Sequence, residues 1–336
     1  MNTASDDVDV SVIVLNYNGR QWLDGCLNAL ALQKGAPSFE IIVADNGSTD
    51  GSIVWLAKHH PHVRVLRNGT NLGFAAGNNA GAAQATGDWL VFLNNDTVPE
   101  PDWLAELCRP LGEHSDLTMA TSRVVFIDDP RVVDSAGDGY LRAGGAYKRG
   151  HRAEVSGFLE SCEVFGACGA AFIVRRDAFH AVGGFDERFF MVYEDVDLSY
   201  RLRLAGHRCW YAAAAVVRHV GSGTLGRSSP TAVYYGQRNL EWTWIKNTPG
   251  PLMLRTAAPH IVYSLAGLVH YLRRGRFGPA LRGKLAAVAG VAAMLRARRQ
   301  MRPLRRVDWR AIDRWLDRGW VRLKQREKAA ALSASR

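Results

Sequence analysis

Cysteine is scarce in this 336-residue chain: Cys26, Cys108, Cys162, Cys168 and Cys209 are an odd number, and no two form a CxxC pair. A disulfide framework and a structural zinc site are both disfavoured by that count, and a reducing compartment is expected. Long apolar runs are also missing. The opening MNTASDDVDV is acidic, and its first apolar stretch is too short for a signal sequence or a spanning helix. The expectation is a cytoplasmic protein. Acidic residues thin out towards the end: from Pro251 onward 20 Lys and Arg face 4 Asp and Glu, whereas residues 1–250 carry 22 against 28. A strongly basic tail on a mildly acidic body points to a polyanion, either nucleic acid or an anionic lipid surface.

What is present is enough to build a core. A hydrophobic fraction of 47% and a charged fraction of 22% are those of a globular protein, and the length allows one large domain with an appendage or two smaller ones. Val10–Leu15 (VSVIVL) is a continuous β-branched run of the kind a doubly covered strand needs. It enters Asn16-Tyr17-Asn18-Gly19 and then Trp22, Leu23, Cys26, Leu27 and Leu30 at helical spacing. The unit repeats: Phe39–Ala44 leads into Asp45-Asn46-Gly47-Ser48-Thr49-Asp50, Val63–Leu66 into Asn68–Gly73, and Asp88–Leu93 into Asn94-Asn95-Asp96. Such alternation predicts a parallel α/β sheet, whose ligands sit outside the carboxyl ends of the strands. Three polar clusters, Asn16-Tyr17-Asn18, Asp45-Asn46 and Asn94-Asn95-Asp96, stand together at that edge. After a less regular middle (Asp116 to Gly166), Ala171–Val174 reads as a strand and Asp177–Val182 as a helix. A Gly183-Gly184 turn, a helix opening at Glu194-Asp195 and a strand ending at His219 follow.

The motifs VSVIVLNYNG, IIVADNGSTDGS, NLGFAAGNN, LNNDT, GGFDERFFMVYEDVDLSYRLRLAGHR and RHVGSGT occur in this order. Together they resemble glycosyltransferase family 2, and most closely its bacterial rhamnosyltransferase-like members, over about residues 8–245. The resemblance implies an α/β GT-A fold, Rossmann-like with a mainly parallel central sheet flanked by helices, over residues 1–250. It also implies a nucleotide-sugar donor, inversion at the anomeric centre, and Mg²⁺ or Mn²⁺ to neutralise the leaving diphosphate. By motif position Asp96 is the metal ligand and His219 the second, imidazole ligand. Asp195 is the base that takes the acceptor proton, with Glu194 beside it orienting acceptor or loop. Donor contacts fall to Asn16, Tyr17, Asp45, Asn71, Asn94, Asn95, Gly184 and Arg238. Gly183-Gly184 and Asp186 are expected on the donor-sugar side.

Three departures qualify the resemblance. The usual DxD motif appears as Asn94-Asn95-Asp96, with one carboxylate, and Asn16 stands where most relatives have Thr. Gln237-Arg238-Asn239-Leu240-Glu241-Trp242 lacks the QxxRW signature of processive synthases, so one sugar per encounter is expected.

Residues 251–336 read as a basic amphipathic helical region. Leu252–Leu272 and Pro279–Arg299 are apolar on one face but interrupted by Arg255, His260 and His270 or flanked by arginines. Trp309, Trp315 and Trp320 follow. That pattern fits helices lying in an anionic membrane surface, with a helical subdomain packed on the core as the alternative. The apolar faces disfavour nucleic acid as the partner. The expected activity is transfer of a sugar, L-rhamnose from its dTDP donor or another sugar from a UDP or GDP donor, to a lipid-linked or cell-envelope glycan at the inner face of the cytoplasmic membrane. A non-catalytic nucleotide- or glycan-binding relative is the reading from another class.

Overall fold

The computed structural model describes residues 8–221 and 229–320. Ser222-Gly223-Thr224 of the RHVGSGT motif, the acidic head of the chain and the basic residues after position 320 lie outside the described residues. The first part alternates as the sequence predicts: β1 (Val10–Asn16), α1 (Arg20–Ala31), β2 (Phe39–Asp45), α2 (Ser52–His59), β3 (Arg64–Arg67), α3 (Gly73–Ala82), β4 (Trp89–Asn94). Strands β3, β2, β1 and β4 lie side by side and parallel. The apolar runs are continuous because β1 and β4 are covered on both faces. Val12 and Val14 pack with Leu23 and Leu27 of α1, whereas Ile13 and Phe92 pack with Ala75 and Ala82 of α3.

The stretch that reads as irregular holds the strand on which the other half of the sheet is built. β5 (Thr97–Pro99) and α4 (Trp103–Glu113) precede it, and it contains β6 (Leu117–Phe126), β7 (Val133–Ser135), β8 (Asp138–Leu141), β9 (Ala146–Lys148) and β10 (Cys162–Val164). Then come β11 (Ala171–Arg175), α5 (Arg176–Ala181), α6 (Glu194–Leu204) and β12 (Arg208–His219). The sheet order is β10-β12-β6-β11-β4-β1-β2-β3, with β11 antiparallel to both neighbours. β6 shows no clear hydrophobic pattern because Thr118, Thr121 and Ser122 are buried along it. Ser122 accepts from the Trp103 indole at 2.8 Å and Thr121 from the Cys168 amide at 3.2 Å.

From Pro230 onward the described residues are mainly helical: α7 (Pro230–Asn247), then in the tail α8 (Gly250–Arg273), α9 (Phe277–Ala289), α10 (Val291–Gln300) and α11 (Trp309–Asp313), followed by β13 (Leu316–Asp317). Ser229 caps α7 by accepting from the Ala232 amide. α9 and α10 part at Gly290, where a Cβ would stand 2.4 Å from the Trp242 ring. The tail is joined to the α/β body. β13 extends the small sheet beside β8, Arg142 forms a two-pronged ion pair with Asp313 at 2.6 and 2.8 Å, and Leu252, Ile312 and Leu316 share a core with Tyr140, Phe165 and Tyr200.

α8 is long and apolar enough to cross a membrane by length and composition. Its inner face, however, is tied to protein: His260 meets the Ala143 carbonyl through Nδ1 (2.9 Å) and the Glu241 carboxylate through Nε2 (2.7 Å). The outer face exposes Leu254, Ile261, Leu265 and Leu272, and α9 exposes Phe277, Leu281, Leu285 and Val288 at spacings of three and four residues. Arg273, Arg274, Arg282, Arg296 and Arg299 are exposed around them.

Candidate active site

Parallel pairing sets the tips of β4, β1 and β2 in line, with Asn16 opposite Asp45 and Leu15 opposite Asn94. The polar residues there are cross-linked. Asn95 Nδ2 donates to Asn16 Oδ1 (2.7 Å), and Asn16 Nδ2 donates to Asp45 Oδ2 (2.9 Å) and Ser48 Oγ (3.1 Å). Asp45 Oδ1 in turn accepts the Gly47 and Ser48 amides. Gly19 leaves room for this chain of amides, since a Cβ there would lie 1.9 Å from Asn95 Nδ2. A run of carboxamides ending a buried strand is thus a preorganised floor, with few free donors or acceptors left to rearrange.

Beyond this floor opens a cleft of about 380 Å³, lined among others by Tyr17, Asn71, Asn94, Asn95, Asp96, Glu194, Asp195 and His219. His219 arrives because β5 pairs antiparallel with the end of β12, setting it opposite Thr97. Its Nε2 stands 3.2 Å from Asp96 Oδ1, and its Nδ1 2.8 Å from Asp134 Oδ2. Burial lowers the affinity of His219 for its second proton, but the hydrogen bonds to Asp134 and Asp96 outweigh it and raise the pKa above the ordinary value. A spacing of 3.2 Å matches neighbouring ligands of an octahedral ion, about 3 Å for bonds of 2.0–2.1 Å. Among the described residues no group of three or more His, Cys, Asp or Glu suits a metal. Asp96 and His219 are two groups that could hold an ion, which would need phosphate and water to complete its shell.

Across the cleft α6 begins at Glu194, after a loop with Phe190, Val192 and Tyr193 at φ 62°, 64° and 77°. Left-handed backbone is costly for branched and aromatic residues. Asn239, fully buried, holds the loop by donating to the carbonyls of Phe189, Met191 and Val192 at 2.7–3.0 Å. Asp195 accepts the Gly169 amide at Oδ2 and the Val196 amide at Oδ1, both at 2.8 Å. Burial raises its pKa against these two bonds. Glu194 is raised well above the carboxylate range by burial and by the charge of Asp195, and its Oε2 is buried without a hydrogen-bond partner. Asp195 has two amides to support a charge and Glu194 Oε2 has none. Of the pair, Asp195 is the better placed to carry a charge.

Several residues expected at the donor lie elsewhere. Arg238 faces the loop: its guanidinium stacks 4.0 Å from the Trp242 ring centroid and donates to the carbonyls of Arg188 and Phe189. Gly184, at φ 63°, packs against Asn79, whose Oδ1 would lie 2.9 Å from a Cβ. Asp186 pairs with Arg188 and Lys246 at the edge of a second cavity. Asn16 and Asp45 are buried within the floor, behind Asn95. For Arg238, Asp186, Asn16 and Asp45 a tertiary partner engages the side chain that motif position assigns to the ligand. Three other residues enter unforeseen: Lys148 lines the cleft, Asp134 supports His219, and Gly169 supports Asp195. Only Gly169 left a signal, the small-residue run GACGAA, where a Cβ would press to 2.8 Å from Asp195 Oδ2.

Residues 11–183 match the family model described as Glycosyl transferase family 2. The chain belongs to glycosyl transferase family 2. Among its relatives, an N-acetylglucosaminyl-diphospho-decaprenol L-rhamnosyltransferase of Mycobacterium tuberculosis is 32% identical over 244 residues, covering 64% of this chain and 77% of the relative. Solved structures share the GT-A fold. A mannosyltransferase from Pyrobaculum calidifontis, in complex with GDP-Man and Mn²⁺, has a TM-score of 0.53 and 17% identity, covering 88% of this chain and 85% of that one. GalNAc-T7 with UDP, GalNAc and Mn²⁺ has a TM-score of 0.54 and 17% identity; 70% of this chain matches about half, 48%, of that structure's length. This family 2 glycosyltransferase is thus similar to rhamnosyltransferases in sequence and to nucleotide-sugar enzymes in fold.

Proposed function

We propose that this glycosyltransferase is inverting and metal-dependent, and that it moves L-rhamnose from dTDP-L-rhamnose to a lipid-linked diphosphate glycan. The observation that carries the reading is the placement of Asp195 in one cleft with the Asp96–His219 pair. Asp96 and His219 would hold Mg²⁺ or Mn²⁺, and when bound such an ion neutralises charge on the departing diphosphate. Asp195 takes the proton of the acceptor hydroxyl at a carboxylate oxygen as that hydroxyl forms its bond to the anomeric carbon. The bond from that carbon to the diphosphate breaks, and the nucleoside diphosphate carries away the electron pair. One displacement inverts the centre. Glu194 beside it orients the acceptor or the loop. The Asn95–Asn16–Asp45 chain keeps the floor rigid beneath the donor.

The acceptor class follows from the mycobacterial relative, whose name specifies a decaprenol diphosphate. The exposed apolar stripes of α8 and α9 with their arginine rim support a peripheral position on the anionic inner face of the cytoplasmic membrane. UDP- and GDP-sugars are the alternative donors, because Asn16 is spent within the floor and does not select a base. Incubating the enzyme with Mn²⁺, a GlcNAc-diphosphopolyprenol and dTDP-L-rhamnose, UDP- or GDP-sugars in turn decides the matter by mass of the lipid product. Rhamnosylated lipid from the dTDP donor is expected. Product only from another donor replaces the sugar, and full activity in excess EDTA removes the metal.

A further inference from the structure

Asp134 is a carboxylate beside the cleft engaged by three side chains, and no motif marks it. It is fully buried on the three-residue strand β7. Lys148 Nζ lies 2.8 Å from its Oδ2, His219 Nδ1 2.8 Å from the same oxygen, and His151 Nδ1 3.2 Å from Oδ1. The fold brings it there by construction. β7 and β12 both hydrogen-bond to the end of β6, so Asp134 and His219 arrive from different parts of the chain. We propose that Asp134 is a positioning residue for the metal site: its carboxylate holds His219 by Nδ1, so that Nε2 is presented to a divalent cation beside Asp96. This rests on the metal reading above.

The physical reason is that an imidazole has two nitrogens and a freely turning ring. A hydrogen bond from Nδ1 to a carboxylate fixes both tautomer and orientation and makes Nε2 a better donor to a metal. Lys148, and His151 on the other oxygen, hold the Asp134 carboxylate itself in place. Asp134 does not reach the reacting atoms. Its effect runs through His219, and that sets it apart from a residue that only stabilises the fold.

The test is Mn²⁺ uptake by the full chain without donor, followed by the electron paramagnetic resonance signal of the free aquo ion. Asp134→Asn is expected to weaken Mn²⁺ binding about 10–100-fold, as is His219→Ala. In a His219→Ala background, Asp134→Asn should add no more than about a twofold loss, because the two act as a unit. Asp134→Ser serves the same comparison should the Asn variant fail to fold. Unchanged Mn²⁺ affinity in Asp134→Asn, with Asp96→Ala losing the ion, overturns the positioning role alone. A full second loss on top of His219→Ala overturns it too. Wild-type protein that takes up no Mn²⁺ overturns the metal reading and this proposal with it.

Discussion

The amide of Gly169 points at Asp195 Oδ2 across 2.8 Å. It holds the proposed base from the strand side of the cleft while α6 holds it from the other. Asp195→Asn keeps the shape and removes the proton acceptor, so turnover should fall about 10²–10⁴-fold with donor affinity little changed. Gly169→Ala should also lower turnover, because its methyl would press on that oxygen. Steady-state kinetics with a donor-binding titration check both, and near-normal turnover in Asp195→Asn would rule out the base.

The pH profile follows from the raised pKa of Asp195. A base must be ionised to act, so activity should fall as pH drops through its folded value. The acid limb of kcat should therefore lie above the ordinary Asp range near pH 4. A limb at or below that range contradicts the burial argument.

Asp96 is the carboxylate of the Asn94-Asn95-Asp96 cluster, and it faces His219 Nε2. Asp96→Ala should abolish Mn²⁺-dependent donor binding. Asn95→Ala, which loosens the floor at Asn16, should do less. Isothermal titration of nucleoside diphosphates with and without Mn²⁺ measures the difference.

Glu241 ties three tail helices together, meeting His260 (2.7 Å) and Ser264 (2.8 Å) of α8 and the Lys284 ammonium of α9. Burial works against its charge, but His260 and Lys284 outweigh it and bring its pKa from 4.5 to about 2. Glu241→Gln leaves Lys284 without its counter-ion and should cost about 3–5 kcal/mol in denaturant unfolding at pH 7. The sign is that of a depressed acid. The stabilisation is present above pH 4.5 and is lost as pH falls from 4.5 towards about 2, so wild type and variant should converge there.

Membrane attachment should depend on the outer faces of α8 and α9. Leu265→Asp together with Leu285→Asp changes two exposed side chains and should release the protein from phosphatidylglycerol vesicles while leaving its melting temperature near wild type. High salt should weaken wild-type binding without abolishing it, because screening acts on charge and not on apolar burial. Wild-type protein that ignores such vesicles at low salt removes the membrane from the function.

The sequence by itself determined the parallel half of the sheet and the place of the cleft. Runs such as VSVIVL and DWLVFL admit few structures other than doubly covered strands, and polar residues after them must fall at the carboxyl edge. It also marked Asp96, Asp195 and His219 as candidates, through the order of the motifs that hold them rather than through any one of them. It did not show β6, where buried Thr121 and Ser122 blur the hydrophobic pattern, nor Asp134 on a three-residue strand. Tertiary structure alone decided which polar side chains remain free to meet a ligand. Asn16, Asp45 and Arg238 carry the right chemistry at the right motif positions, yet each is claimed by a neighbour that is distant in sequence. A hydrogen-bond donor can be read from its residue type, but whether it is already engaged depends on what the fold places within 3 Å of it.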